Sequence, residues 1–435
     1  MEPNHFTGVN RRTFLAASAA ATTLAGCAAP ILGGADVDPR VSPIPNLPFA
    51  RPEDVGMSSA GLRRIQEVIG KYIASNDLTG AVTAVARRNS VVHFRSHGYM
   101  DVVNKAPMPL DAEFYMMSST KPLLAVALLQ QIELGRLTLE DPISKFIPEL
   151  RSMRVIKASV PASERGAGKA YTSEMLEPQA REITIKDLAT HTSGLNARIK
   201  FNPGESMESY VQRMKDVPLD FQPGTKWGYS AVTAPDVLVR VVEICSGQPF
   251  GVYLKQRILD PVGMTETTYH LDSAQKRRVA KSHELKGGTW VESPWPVDVV
   301  TPTYYPGGYG LYGTARDYLQ FETMLLNMGM IHGNRVIKPE SVNLMRTSLI
   351  GNLYEASKDR TGHDFGVLVR VLRDEANCDC GRTKGAFSWQ GYFGTVTWTD
   401  PALELVGVLM IQQRGPQVRN VQRDFELAIR SAINA

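Results

Sequence analysis

Cysteine is scarce in this chain, with four in 435 residues, and the four are placed too unevenly to staple a fold. Cys27 stands near the N-terminus, Cys245 lies in a helical pattern, and only Cys378 and Cys380 are close together. Setting Cys27 aside leaves an odd number, which argues against a disulfide framework. No second pair joins the C-x-C to make a metal site. Cys245 reads as a buried apolar filler, and the C-x-C pair has no assigned role. An excess of one charge is also missing. The net charge is only +4, and the basic residues are scattered without the cluster a nucleic-acid surface needs. No low-complexity block or repeat period is present. The apolar stretch from Phe14 to Gly26 is too short and alanine-rich to remain across a bilayer. What is left is a chain long enough to bury a large core, with the composition of a globular enzyme.

The N-terminus nevertheless carries a processing pattern. Arg11 and Arg12 precede Thr13, Phe14 and Leu15 in a form similar to a twin-arginine export signal. "LAGC", ending at Cys27, resembles a bacterial lipobox, in which cleavage leaves the cysteine N-terminal and lipid-modified. Residues 1–27 are therefore expected to be an export signal. Membrane contact is expected through a lipid on Cys27, and the mature protein is expected on the periplasmic side of a bacterial membrane. Residues 28–55 are rich in proline and glycine without periodicity and read as a tether.

Periodicity then divides the chain. Leu62, Ile65, Val68, Ile69 and Tyr72 form a helical stripe, and "GAVTAVARRNSVVHFRSHGYMD" reads as two strands around a turn near Asn89–Ser90. His93 and His97 have a suggestive spacing but no third ligand; in a strand they share a face with Arg95, which reads as solvated. From Ser118 to about residue 289 the patterns are mainly helical, with a polar surface insertion near 152–182. The C-terminal part returns to strands and ends in a helix from Val418 to Ala432. These patterns predict an α/β (α+β) protein. Residues 56–117 and 290–435 form a central antiparallel sheet flanked by helices, and 118–289 form an inserted helical domain.

One stretch carries chemistry. In "YMMSSTKPLLAVALLQQIELG", starting at Tyr115, a proline follows a lysine at the mouth of an apolar helix. Proline is tolerated only in a helix's first turn, so Pro122 sets the start near Ser118. Ser118 and Lys121 then share a face one turn apart. A serine hydroxyl there becomes a nucleophile when a nearby amine takes its proton, the S-x-x-K arrangement. The bland alternative is a serine cap followed by a lysine reaching for solvent.

The wider order of motifs decides between them. "SSTKPLLAVALLQQIELGRLTLEDPISKFIPEL", "ITIKDLATHTSGL", "FQPGTKWGYSA", "GGYGLYGTARDYLQFETMLLNMG" and "FSWQGYFGTVTWTDP" occur in one order. They resemble the serine β-lactamase and penicillin-binding-protein superfamily over roughly residues 52–430. The likeness is to its class C-related branch, and most to the family VIII carboxylesterases. The resemblance implies Ser118 as nucleophile, Lys121 as its proton acceptor, and Tyr229 as a proton relay. It places Trp389, Gln390 and Gly391 at the substrate-binding edge strand. It pairs the N–H groups of Ser118 and Tyr392 as an oxyanion hole. Burial and the helix terminus lower a lysine pKa to roughly 7–8, which makes a usable base.

Two departures matter. Ala231 stands where β-lactamases keep an asparagine two residues after the tyrosine, so the amide that holds a lactam side chain is gone. Trp389 stands where they keep a lysine, and Lys384 lies five residues upstream, out of register. Both changes favour a small neutral ester with an apolar acyl group, with weak β-lactamase activity as a side reaction and no metal or organic cofactor required. His191 lies in "HTSGL", which reads as a packing element, and Ser193 lacks the G-x-S-x-G elbow. Three alternatives stay open: a D-alanyl-D-alanine carboxypeptidase or D-amino-acid peptidase, a β-lactamase, and an inactive lipid-anchored binding protein.

Overall fold

The computed structural model describes residues 36–166, 169–195, 199, 201–202, 204–294, 300–357 and 362–434. Arg11, Arg12 and Cys27 lie outside the described residues. The elements that build the site are Asp36–Val37 (β1), Ser59–Ala74 (α1), Gly80–Arg87 (β2), Ser90–Asp101 (β3), Lys121–Glu133 (α2) and Thr233–Ser246 (α3). They continue with Ala315–Leu326 (α4), His363–Phe365 (β4), Arg370–Leu372 (β5), Phe387–Gln390 (β6), Val396–Asp400 (β7), Leu405–Met410 (β8) and Val418–Ser431 (α5).

The strands run in the order β1-β3-β2-β8-β7-β6-β5-β4. Every neighbour on that path is antiparallel except β1, which lies parallel to β3. The join between β2 and β8, from Val82 opposite Met410 to Arg87 opposite Leu405, stitches the two ends of the chain into one sheet. β2 reads "GAVTAVAR" and is buried along its whole length, because helices cover both faces of the sheet. Ala81 and Val85 point to the face covered by α1 and α5, where Leu62, Ile65, Phe425 and Ile429 pack. Val82, Ala84 and Ala86 point to the opposite face, into the core shared with Phe321 of α4. This alternation is the period-2 pleat read from the sequence.

Helices dominate from α2 to about residue 276, interrupted by the hairpin Arg154–Ile156 with Leu176–Pro178. α2 is buried on every side from Leu123 to Gln131, as expected for a helix that is apolar all round. It therefore runs through the interior, and only its N-terminus meets the cleft.

Several local expectations change. Residues 36–55 are not a free tether. Val37, Val41, Ile44 and Leu47 are buried, Ala50 N–H donates to Val91 O at 3.0 Å, and Val91 N–H donates to Pro48 O at 2.8 Å. Irregularly spaced apolar residues in a proline-rich chain leave no periodic signal, yet they dock along the sheet edge. That docking also covers the face of β3 expected to be solvated. His93 is fully buried, its Nδ1 lies 2.7 Å from Asp36 Oδ2, and its Nε2 lies 2.7 Å from Thr83 Oγ1. Thr83 Oγ1 also meets His97 Nε2 at 2.9 Å, and burial holds His97 far below an ordinary imidazole, at about 3. Among the described residues no group of histidine, cysteine and carboxylate side chains is arranged to hold a metal. Cys378 and Cys380 are joined as a disulfide, against the expectation from an odd cysteine count, while Cys245 is half-buried with a free thiol.

Candidate active site

The approach to α2 is a 3-10 turn, Met117–Thr120, and the α-helix proper begins at Lys121 with Pro122 in its first turn. Met117 takes the left-handed backbone region at φ 48°, a strained conformation for a long side chain and one found at functional turns. The turn separates its hydroxyls. Ser119 is buried with Oγ 3.1 Å from Thr395 Oγ1, and Thr120 is fully buried. Ser118 alone of the three reaches the cleft.

Lys121 is completely buried. Its Nζ lies 3.1 Å from Ser118 Oγ, 2.9 Å from Ala231 O and 2.9 Å from Gly308 O. Three partners match the three protons of an ammonium. In the neutral amine, the two carbonyl oxygens take both N–H protons and the lone pair faces Ser118 Oγ, the geometry a general base requires. Ala231 therefore contributes a carbonyl where the lactamase pattern has a side-chain amide. Gly308 is needed as glycine, because a Cβ there would lie 2.2 Å from Ala231 O and 3.3 Å from Lys121 Nζ.

Tyr229 completes the cluster. Its phenol donates to Ser118 Oγ at 2.8 Å, and Lys121 Nζ sits 5.1 Å from its ring centroid. The ring is held edge-on by His191 at 4.9 Å and flanked by Trp389 at 5.5 Å. His191 is buried and contacts Trp227 and Phe365 in the same way, so it is a packing element, and the ring it packs is that of Tyr229. Leu195 N–H donates to Ser193 Oγ, a local turn contact far from a triad geometry.

The edge strand β6 supplies the facing wall. Trp389 contacts Phe365 edge-on at 5.4 Å. Gly391 N–H donates to Thr395 O at 2.8 Å in the turn after β6. A Cβ at Gly391 would lie 2.1 Å from Thr395 Oγ1 and 2.5 Å from Met116 O. The missing side chain lets the strand end press against the turn that carries Ser118. Tyr392 follows with an exposed ring beneath Arg414 at 5.3 Å. Ser118, Tyr229, Trp389, Gln390, Gly391 and Tyr392 line one cavity of about 620 Å³. Lys384 is exposed and outside it.

The sequence reading missed a charged part of this cavity's lining. Arg370, Arg382, Arg419 and Arg423 belong to it, with Asp379 and Glu426 as the carboxylates among them. Arg382 pairs with Glu426, and Arg423 lies 3.3 Å from Asp379. The lining thus holds four arginines against two carboxylates, and a third carboxylate, Asp424, pairs with Arg423 at 2.8 Å. The Cys378–Cys380 bridge forms part of the same rim. These residues come from β5, α5 and the loop before β6, and no single stretch of sequence brings them together.

Comparison with known proteins points in one direction. The family model described as Beta-lactamase matches residues 65–430. Protein Rv1367c of Mycobacterium tuberculosis is 32% identical over 356 residues, covering 77% of this chain and 86% of the relative. Esterase EstB of Burkholderia gladioli is 28% identical over 408 residues, covering 86% of this chain and 95% of the relative. Among solved structures, EstCE1, a hydrolase with promiscuous acyltransferase activity, superposes with a TM-score of 0.70 at 22% identity. That match covers 86% of this chain and 99% of EstCE1.

Proposed function

The chain belongs to the beta-lactamase family and is a serine hydrolase, and from that premise we propose that it cleaves small carboxylic esters through an acyl-enzyme on Ser118. The observation that carries this is the contact of Ser118 Oγ with both Lys121 Nζ at 3.1 Å and the Tyr229 phenol at 2.8 Å. Lys121 takes the hydroxyl proton as Oγ attacks the ester carbonyl, and the carbonyl π pair moves onto oxygen. The N–H groups of Ser118 and Tyr392 receive that oxyanion. Collapse breaks the carbon–alkoxide bond, and the proton on Lys121 passes through the Tyr229 phenol to the departing alcohol. Water then gives a proton to the same pair and attacks the acyl carbon. The acid leaves and Ser118 recovers its proton. An alkoxide leaves more readily than an amine anion, so an ester asks less of this relay than an amide does. The aromatic lining of Trp389, Tyr229 and Trp227 suits an apolar acyl group. Export, with lipid attachment at Cys27, belongs to the same proposal.

Ser118→Ala tests it. Turnover of p-nitrophenyl butyrate should vanish, and mass spectrometry of the wild-type protein after brief exposure to the ester should find the acyl group on Ser118. Unchanged hydrolysis by the variant sinks the proposal.

The arginines in the lining support a second candidate. Positive charge missing at position 389 is present elsewhere in the cavity, where it suits a substrate that carries a carboxylate, as β-lactams and D-alanyl-D-alanine peptides do. Comparing p-nitrophenyl butyrate, a chromogenic cephalosporin and a D-alanyl-D-alanine peptide on one preparation separates these. Failure of all three, with no labelling by a fluorophosphonate, leaves the inactive binding protein.

A further inference from the structure

Behind Lys121 lies a carboxyl group that the proposed chemistry does not use. Asp236 stands in the first turn of α3 and is fully buried. Tyr304 Oη donates to its Oδ2 at 2.8 Å, and Gly307 N–H donates to its Oδ1 at 2.9 Å. The next residue, Gly308, is the one whose carbonyl accepts from Lys121 Nζ. The other acceptor, Ala231, lies just before the start of α3. One side chain thus ties together the two backbone segments that hold the amine. The fit has no slack, given the 2.2 Å separation a Gly308 Cβ would have from Ala231 O.

We propose that Asp236 is the positioning residue of the base: its grip on Tyr304 and Gly307 keeps the carbonyls of Ala231 and Gly308 around Lys121 Nζ, so that the lone pair stays on Ser118. The assignment rests on Lys121 acting as the base. Electrostatics add a second coupling. Burial raises the Asp236 carboxyl to about 7, opposed by hydrogen bonds from Tyr304 and Gly307 and by the nearby Lys121 charge. Asp236 therefore changes its own charge near Lys121 close to neutral pH. The other groups facing Asp236 are Glu243 on its own helix and the phenols of Tyr210, Tyr269, Tyr304 and Tyr309. Burial holds all four phenols above their ordinary range. Burial also raises Glu243, which has Arg240 3.6 Å away.

The experiment measures two pH profiles for wild type and Asp236→Asn: kcat/KM for p-nitrophenyl butyrate, and the rate of Ser118 labelling by a fluorophosphonate. Folding is checked by melting and near-UV circular dichroism. In the folded variant the acid limb of both profiles should move, because a carboxyl that changes charge near Lys121 has been replaced by a neutral amide. Its kcat should fall about tenfold as the cradle loosens, with KM held within about twofold. A loss equal at every pH, with the limb unmoved, describes a merely structural carboxyl and overturns the proposal; so does a wild-type profile. If Asp236→Asn does not fold, Tyr304→Phe removes one tie and keeps the carboxyl, and an unchanged kcat there overturns it as well. Labelling needs no particular substrate. A shifted labelling profile without ester turnover upholds Asp236 and rejects the ester, whereas a wild-type protein that no fluorophosphonate labels overturns both.

Discussion

Gly391→Ala is the sharpest probe of how the edge strand meets the nucleophile. An alanine Cβ at this position would sit 2.5 Å from Met116 O and 2.1 Å from Thr395 Oγ1. The threonine hydroxyl can rotate away, but the Met116 carbonyl is backbone, and it belongs to the segment that leads directly into Ser118. Carbon and carbonyl oxygen approach to about 3.3 Å at closest, so the strand end must retreat by about 0.8 Å. An oxyanion donor works within about 2.7–3.1 Å of its target. A retreat of this size carries the Tyr392 N–H out of that range while leaving Ser118, Lys121 and Tyr229 in contact. Losing one such donor costs about 10²–10³ in kcat, or about 3–4 kcal/mol. Overpacking costs about 1–3 kcal/mol of stability, small enough to leave a folded enzyme. Stopped-flow hydrolysis of p-nitrophenyl butyrate, with melting recorded on the same sample, should show a slow acylation burst and nearly normal KM. A folded variant that acylates within threefold of wild type would refute both the steric estimate and the role given to Tyr392.

Further outcomes follow from other parts of the molecule. Lys121→Met keeps the length of a fully buried side chain and removes the amine; kcat should fall about 10²–10⁴-fold across the pH range, read by steady-state hydrolysis. Cys378→Ser with Cys380→Ser opens a ring of only three residues, worth about 1.6 kcal/mol at most in chain entropy. The loop also stays pinned by Arg382 on Glu426 and Thr383 on Asp400, so the double variant should melt only slightly lower and remain folded. Burial raises Glu113 to about 8 despite Arg278 nearby, against 4.5 for an ordinary glutamate. Between those values the unfolded chain has lost the proton that the folded chain keeps, so stability falls as pH rises through that window and levels off above it. Glu113→Gln should remove a slope on the order of a few kcal/mol, measured by urea unfolding at pH 5 and pH 8.

What was legible in the sequence divides by the range of the interaction. Ser118 and Lys121 were readable because one helical turn joins them, and a proline phases that turn. The 3.1 Å contact is a local consequence of residues three apart. Tyr229 was legible only through the resemblance, since 111 positions separate it from Ser118. The cradle of Lys121 was not readable at all. Ala231 and Gly308 act through backbone carbonyls, and any residue type has a carbonyl. The glycine-rich "GGYG" could be noticed, but not the reason a Cβ is forbidden there. β1 escaped notice because two residues in a proline-rich segment have no period, yet covering β3 turned His93 from an expected surface residue into a buried one.

The arginines changed the substrate question for a related reason. At position 389 the sequence offers a tryptophan where the family's pattern has a lysine, and that exchange alone favours a neutral substrate. The cleft, however, is lined by the Tyr229 and Trp389 rings and also by Arg370, Arg419 and Arg423. Charge in a cavity acts by its sum and distance rather than by motif. A cation lost from β6 is thus offset by cations on β5 and α5 that converge only after folding.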